Sequence, residues 1–135
     1  MPLRSIGPAL AQAAQGGYAI PLFDVFDTQS IDGLFDAVQE KRAPVIIAMP
    51  SRVLDNDNIP ALAAYIRRRA EPVQTPVALM LDHGRSFEHC VKALTLGFTD
   101  VMFDGSQLPF EENVATTKAV VRAARILSEP CGLAI

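Results

Sequence analysis

The chain has no tryptophan, only two cysteines and two histidines, and no excess of positive charge among its 135 residues. Cys90 and Cys131 lie in dissimilar contexts and form no CxxC or zinc-finger spacing. A disulfide framework is therefore excluded; both read as reduced thiols, Cys90 as core filler on a helix. Twelve Lys and Arg against fifteen Asp and Glu leave a net charge of −3 and no basic tail. The only basic run, Arg67-Arg68-Arg69, falls at a helix end, where cations complement the dipole, so no nucleic-acid interface is expected. No apolar run approaches the ~20 residues that span a bilayer, so no membrane contact is expected. No long apolar segment follows Met1-Pro2-Leu3-Arg4, and a cytoplasmic protein without a secretory signal is anticipated. No glycine-rich phosphate turn follows the first apolar strand either. Phe23-Asp24-Val25-Phe26 stands where G-x-G-x-x-G would be needed, which disfavours a dinucleotide fold.

What is present is a regular alternation. Half the residues are hydrophobic and a fifth charged, enough for one globular domain over 1–135 with a sizeable core. Four short apolar runs, 18–23, 44–49, 76–81 and 100–104, predict strands covered on both faces. Between them one helical stripe recurs: Ile31, Leu34, Phe35 and Val38; Ile59, Leu62, Ala63 and Ile66; Phe87, Cys90, Val91 and Leu94. Each set has i, i+3, i+4, i+7 spacing and should face the sheet. A helix over about 109–127 follows, opened by Pro109, Glu111 and Glu112, with Phe110, Val114, Thr117, Val121 and Ala124 expected inward. A leading helix over about 5–15 ends at Gly16-Gly17. Crossovers of this length make parallel, right-handed neighbours. Two α/β architectures fit that order, an open doubly wound sheet or part of a (β/α)8 barrel.

The chemistry collects where two strands end. Leu81-Asp82-His83-Gly84 closes one, and Val101-Met102-Phe103-Asp104-Gly105-Ser106 closes the next. In parallel α/β folds the carboxyl ends of the strands are where ligands gather. Plainer roles exist for each residue. Asp82 suits a helix cap or turn acid before Ser86, His83 a hydrogen-bonded loop histidine, and Asp104 a strand-ending turn. Ser51, after Pro50 at the second strand's exit, suits a turn first and a phosphate or hydroxyl contact second. Asp24 and Asp27 suit solvated loop acids first and substrate contacts second. His89, on a helix, is expected to face solvent and is a poor ligand candidate.

These segments resemble one family. Tyr18-Ala19-Ile20-Pro21-Leu22-Phe23, Ala43-Pro44-Val45-Ile46-Ile47, Leu81-Asp82-His83-Gly84 with Ser86-Phe87-Glu88, and Asp104-Gly105-Ser106 with Pro109-Phe110-Glu111-Glu112-Asn113 are similar to class II, zinc-dependent ketose-bisphosphate aldolases, the fructose- and tagatose-bisphosphate enzymes among them. The likeness covers about residues 3–126. It implies a (β/α)8 barrel, of which four strands amount to the first four β/α units, typically half of ~250 residues. It also implies Zn²⁺ as cofactor, a phosphorylated ketose or triose as substrate, and a place in carbohydrate metabolism such as glycolysis. The reaction implied is reversible cleavage of a ketose 1,6-bisphosphate to dihydroxyacetone phosphate and an aldehyde. On the same resemblance Asp82 is the general acid, His83 a zinc ligand, and Asp104 a ligand of a second, alternative metal position.

The chain also departs from the family. Members often carry histidine at the place of Met80 and asparagine at the place of Asp24. A Glu-x-Glu-Leu-Gly strand is expected after the last helix, yet Gly132 and Ala134 stand where its glutamates would fall. Residues 126–135 thus read as a divergent tail, as after a frameshift or premature stop, and the polypeptide alone is expected to be inactive or nearly so. Two alternatives keep the fold: a non-catalytic half-barrel that associates through exposed sheet edges, with itself or a missing half, and another phosphosugar barrel, an isomerase or epimerase.

Overall fold

The structure, a computed structural model, describes residues 3–127. Its elements run α1 (Gly7–Gly16), β1 (Leu22–Asp24), α2 (Thr28–Lys41), β2 (Val45–Pro50), a 3-10 turn (Ser51–Val53), α3 (Ile59–Ala70), β3 (Val77–Gly84), α4 (Phe87–Thr95), β4 (Asp100–Phe103) and α5 (Phe110–Leu127). The helices start and stop where local chemistry says they should. Asp27 caps α2, its Oδ1 accepting from the Ser30 amide at 2.7 Å. Ser86 caps α4 by accepting from the His89 amide at 3.1 Å. Gly17 closes α1 in the left-handed conformation that glycine adopts without strain.

Strand order separates the two architectures left open by the sequence. The four strands pair in parallel in the order β1-β2-β3-β4. A doubly wound sheet reverses direction at a switch point, sending helices to both faces. Here every right-handed crossover steps the same way, so α2 to α5 fall on one face, as the outer ring of a barrel does. Side chains alternate accordingly. Val45, Ile47, Met49, Val77, Leu79 and Leu81 join Ile31, Phe35, Ile66 and Cys90 in the main core. Ile46 and Ala78, on the other face, meet only Ile6 and Ala9 of the α1 region, with Ile20 and Met80 at the margin. Cys90 is the core filler anticipated, and burial pushes its thiol pKa up to about 11.

Several expectations need correction. The first strand is Leu22–Asp24, not 18–23, and all three residues are exposed. Among the described residues it is an edge of the sheet, so apolar character here reflects an uncovered flank. Leu22 and Phe23 are 40% and 47% exposed. On α5 the buried residues are Val120 and Ala124, whereas Phe110 is 76% exposed. That helix packs mainly on α4, and its buried face, at Val120 and Ala124, lies away from Phe110. His89 is half-buried, with Nδ1 shielded from solvent and lacking a hydrogen-bond partner among the described residues. Glu129, Cys131, Gly132 and Ala134 lie outside the described residues.

Candidate active site at the carboxyl end of the sheet

Pairing between β3 and β4 is regular at Leu81↔Val101 and resumes at Gly84↔Phe103. Two residues of β3, Asp82 and His83, therefore oppose one of β4, which makes a bulge. His83 takes φ +49°, a left-handed conformation that costs a non-glycine residue about 1–3 kcal/mol. Three contacts hold the bend. The Ser51 hydroxyl donates to the His83 carbonyl at 2.6 Å, the Asp104 amide donates to the Gly84 carbonyl at 2.8 Å, and His83 Nδ1 lies 2.7 Å from Asp104 Oδ2. Gly84 itself is hemmed in. A Cβ there would lie 2.8 Å from the Met102 carbonyl oxygen and 3.0 Å from Cys90 Sγ.

The bulge brings together the residues that the sequence placed at two strand ends. His83 Nε2 is 3.9 Å from Asp82 Oδ2 while Nδ1 faces Asp104. The ring thus sits between two carboxylates, with its side chain 59% exposed against 19% for Asp82 and 25% for Asp104. The Asp104 contact, then the Asp82 charge, raise the His83 pKa above its usual 6.5. The Ser106 hydroxyl first, and His83 second, hold the Asp104 carboxyl well below the ordinary carboxylate range. Asp104 also accepts from the Ser106 amide at 3.1 Å, so the turn role is present together with the histidine contact. Helix capping is not what Asp82 does; Ser86 has that role.

Asp24 ends β1 and shares the array's field. Partial desolvation and the Asp82 charge raise its pKa, opposed by Arg52 and His83. Sequence reasoning passed over Arg52, which stands in the turn after β2 with its guanidinium carbon 5.4 Å from the Phe26 ring centroid. Only the charge of an arginine directly after a strand exit hinted at it. Ser51 is buried, and its one hydrogen is committed to the His83 carbonyl.

As a metal centre the arrangement is partial. Zinc takes three or more protein ligands. Among the described residues no group of three His, Cys, Asp or Glu is disposed to hold a metal ion. An imidazole held by a carboxylate on one nitrogen is nonetheless the usual setting of a histidine that offers its other nitrogen to a metal.

Residues 5–128 match the family described as fructose-bisphosphate aldolase class-II. The chain is 40% identical over 129 residues to a probable fructose-bisphosphate aldolase of Bacillus subtilis, covering 92% of itself and 45% of that protein. It is 37% identical over 115 residues to a sulfofructosephosphate aldolase of Alkalicoccus urumqiensis, covering 85% of itself and 40% of the relative. The crystal structure of the YdjI aldolase from Escherichia coli K12 superposes with a TM-score of 0.86 at 32% identity, over 93% of this chain and 48% of that one. The chain spans somewhat less than half the length of each. With four parallel strands alternating with helices as in the first units of a (β/α)8 barrel, it belongs to the class II fructose-bisphosphate aldolase family.

Proposed function

We propose that the chain carries the acid–base and first metal-binding part of a class II aldolase acting on a phosphorylated ketose. The observation that supports this most is the bulge, which sets Asp82 and His83 3.9 Å apart at the carboxyl end of a parallel sheet. In this reading Asp82, the less exposed of the two, exchanges a proton with the oxygen of the departing aldehyde. His83 gives Nε2 to zinc while Asp104 holds Nδ1. Asp104 would hold a metal ion at a second, alternative position. Asp24 meets a substrate hydroxyl, and Ser51 accepts from one through its remaining lone pairs. The other zinc ligands and the phosphate site lie outside residues 3–127. Relatives named for fructose bisphosphate and for sulfofructosephosphate support the coarser substrate class, a phosphorylated ketose cleaved reversibly to a triose phosphate and an aldehyde.

The reading extends to a single domain over 1–135 with a divergent tail from 126. It includes a cytoplasmic setting in carbohydrate metabolism, with no nucleic-acid or membrane partner. No helix among the described residues is long and apolar enough to cross a membrane. The chain associates through its exposed β1 edge, with a copy of itself or with the rest of a barrel, and alone it is impaired. Exposed Tyr18, Leu22, Phe23 and Phe26 favour that association, since uncovered edges invite pairing.

Zinc titration of the purified chain tests the site. Weak binding that His83→Ala abolishes and His89→Ala spares is expected, with no substantial cleavage of ketose bisphosphate. Binding that ignores His83 would sink the metal assignment. Robust zinc-dependent cleavage by this chain, abolished by Asp82→Ala, would sink the impairment.

A further inference from the structure

We propose that Ser51 is a positioning residue for His83: its hydroxyl fixes the left-handed bend that places the imidazole between Asp82 and Asp104. Regular pairing between β2 and β3 ends at Pro50↔Asp82. At Ser51 the chain leaves the strand and turns into a 3-10 helix. The β2–β3 ladder therefore ends at the residue where β3 begins to bulge. Within the bulge the His83 carbonyl accepts from a side chain, the Ser51 hydroxyl at 2.6 Å. Ser51 is 6% exposed, so solvent has little access to replace it.

The consequence for the ring is geometric. A bulge residue at φ +49° that relaxes to extended backbone turns its side chain toward the other face of the sheet. Nδ1 would then leave Asp104, and Nε2 would leave Asp82. Asp104 pulls on the ring and Ser51 pulls on the carbonyl of the same residue, from neighbouring strands on opposite sides of β3. The Asp104 amide bond to the Gly84 carbonyl closes the bulge one residue later. With the Ser51 hydrogen removed, the His83 carbonyl loses its protein donor and the ring is tethered from one side only.

The inference rests on His83 being the site's imidazole, but its test uses neither metal nor sugar. At a pH above the His83 midpoint, nitrogen-detected imidazole spectra of the isotope-labelled full chain should show the neutral ring in one tautomer, protonated on Nδ1 toward Asp104. In Ser51→Ala that signature should collapse to an exchange average. The Asp104 amide should exchange with solvent about five- to tenfold faster, the effect of losing one hydrogen bond. The Ile47 and Leu79 amides should keep their rates. If Ser51→Ala fails to fold by circular dichroism, Ser51→Cys, whose thiol fills the space with a weak donor, takes its place. An unchanged His83 tautomer, or acceleration at Ile47 and Leu79 equal to that at Asp104, overturns the proposal. A His83 that moves in the variant yet never binds zinc would defeat the aldolase reading and leave this one standing.

Discussion

Strand β4 begins and ends near an aspartate, and the two acids live in opposite circumstances. Asp100, at the amino end, is 6% exposed. Its oxygens receive the Ser5 hydroxyl at 3.1 Å, the Ile6 amide at 3.3 Å and the Thr99 hydroxyl at 2.8 Å. Asp104, just past the carboxyl end, is partly exposed and faces a strained histidine. Burial raises the Asp100 pKa, and its three donors pull the other way. At Asp104 donors dominate and the pKa falls. One acid ties α1 under the sheet and is spent on structure. The other leaves its partner's ring open to solvent, where a ligand can reach it. That division, stability at one end of the strands and chemistry at the other, is what a parallel barrel sheet favours.

The comparison breaks most visibly if Asp100→Ala proves harmless. Removing the carboxylate leaves three donors facing a buried void. A loss of about 3 kcal/mol in urea unfolding is expected, larger than any single change at the exposed end should give. Next comes Gly84→Ala. The added methyl meets a backbone oxygen that cannot swing aside, and the bulge must open, at a cost of about 1–3 kcal/mol. Unfolding midpoints of the two variants, measured side by side, rank the two ends directly.

Much of this division was legible beforehand. The stripes of α2 and α3 are recognisable because each helix packs on a full strand pair, so periodicity and burial coincide at Ile31, Phe35, Ile59 and Ile66. The same reasoning misread β1 and Phe110 because both stand exposed among the described residues, and apolar pattern cannot distinguish a covered flank from an uncovered one. At the site, Asp82, His83 and Asp104 were visible as residue types at strand ends. The bulge, the positive φ and the Ser51 hydrogen bond were not. They depend on register between strands far apart in sequence, which no local spacing encodes. Asp100 escaped notice for a related reason: a polar residue opening an apolar run reads as a boundary, and only the docking of Ser5 and Ile6 shows it buried.

Acid titration of stability sharpens the contrast, because the two aspartates carry opposite signs. Asp100 has a folded pKa above its unfolded 3.8. Its contribution is therefore fully present below that value and declines as pH rises through the folded pKa. Asp104 has a folded pKa below 3.8. Its contribution is present above 3.8 and fades as pH falls toward the folded value. Urea midpoints followed downward from neutral pH should thus lose less in Asp104→Asn than in the parent chain. Asp100→Asn should remove a term that improves with acid.

The smallest expected effect bears most directly on the site. His83 has a folded pKa above 6.5, raised first by the Asp104 contact and then by the Asp82 charge. A raised base adds stability that is complete below 6.5 and disappears as pH climbs through the folded pKa. Asp104→Asn removes the first cause and leaves the second, so the His83 midpoint, followed by proton resonance of the ring, should move down toward 6.5 without reaching it. Asp82→Asn should move it less, because that carboxylate acts from 3.9 Å while Asp104 is in hydrogen-bond contact at 2.7 Å. The reverse order would mean that the ring belongs to Asp82 rather than to Asp104. Nε2 would then be engaged inside the chain, and the bulge of β3 would lose the ring nitrogen it offers outward.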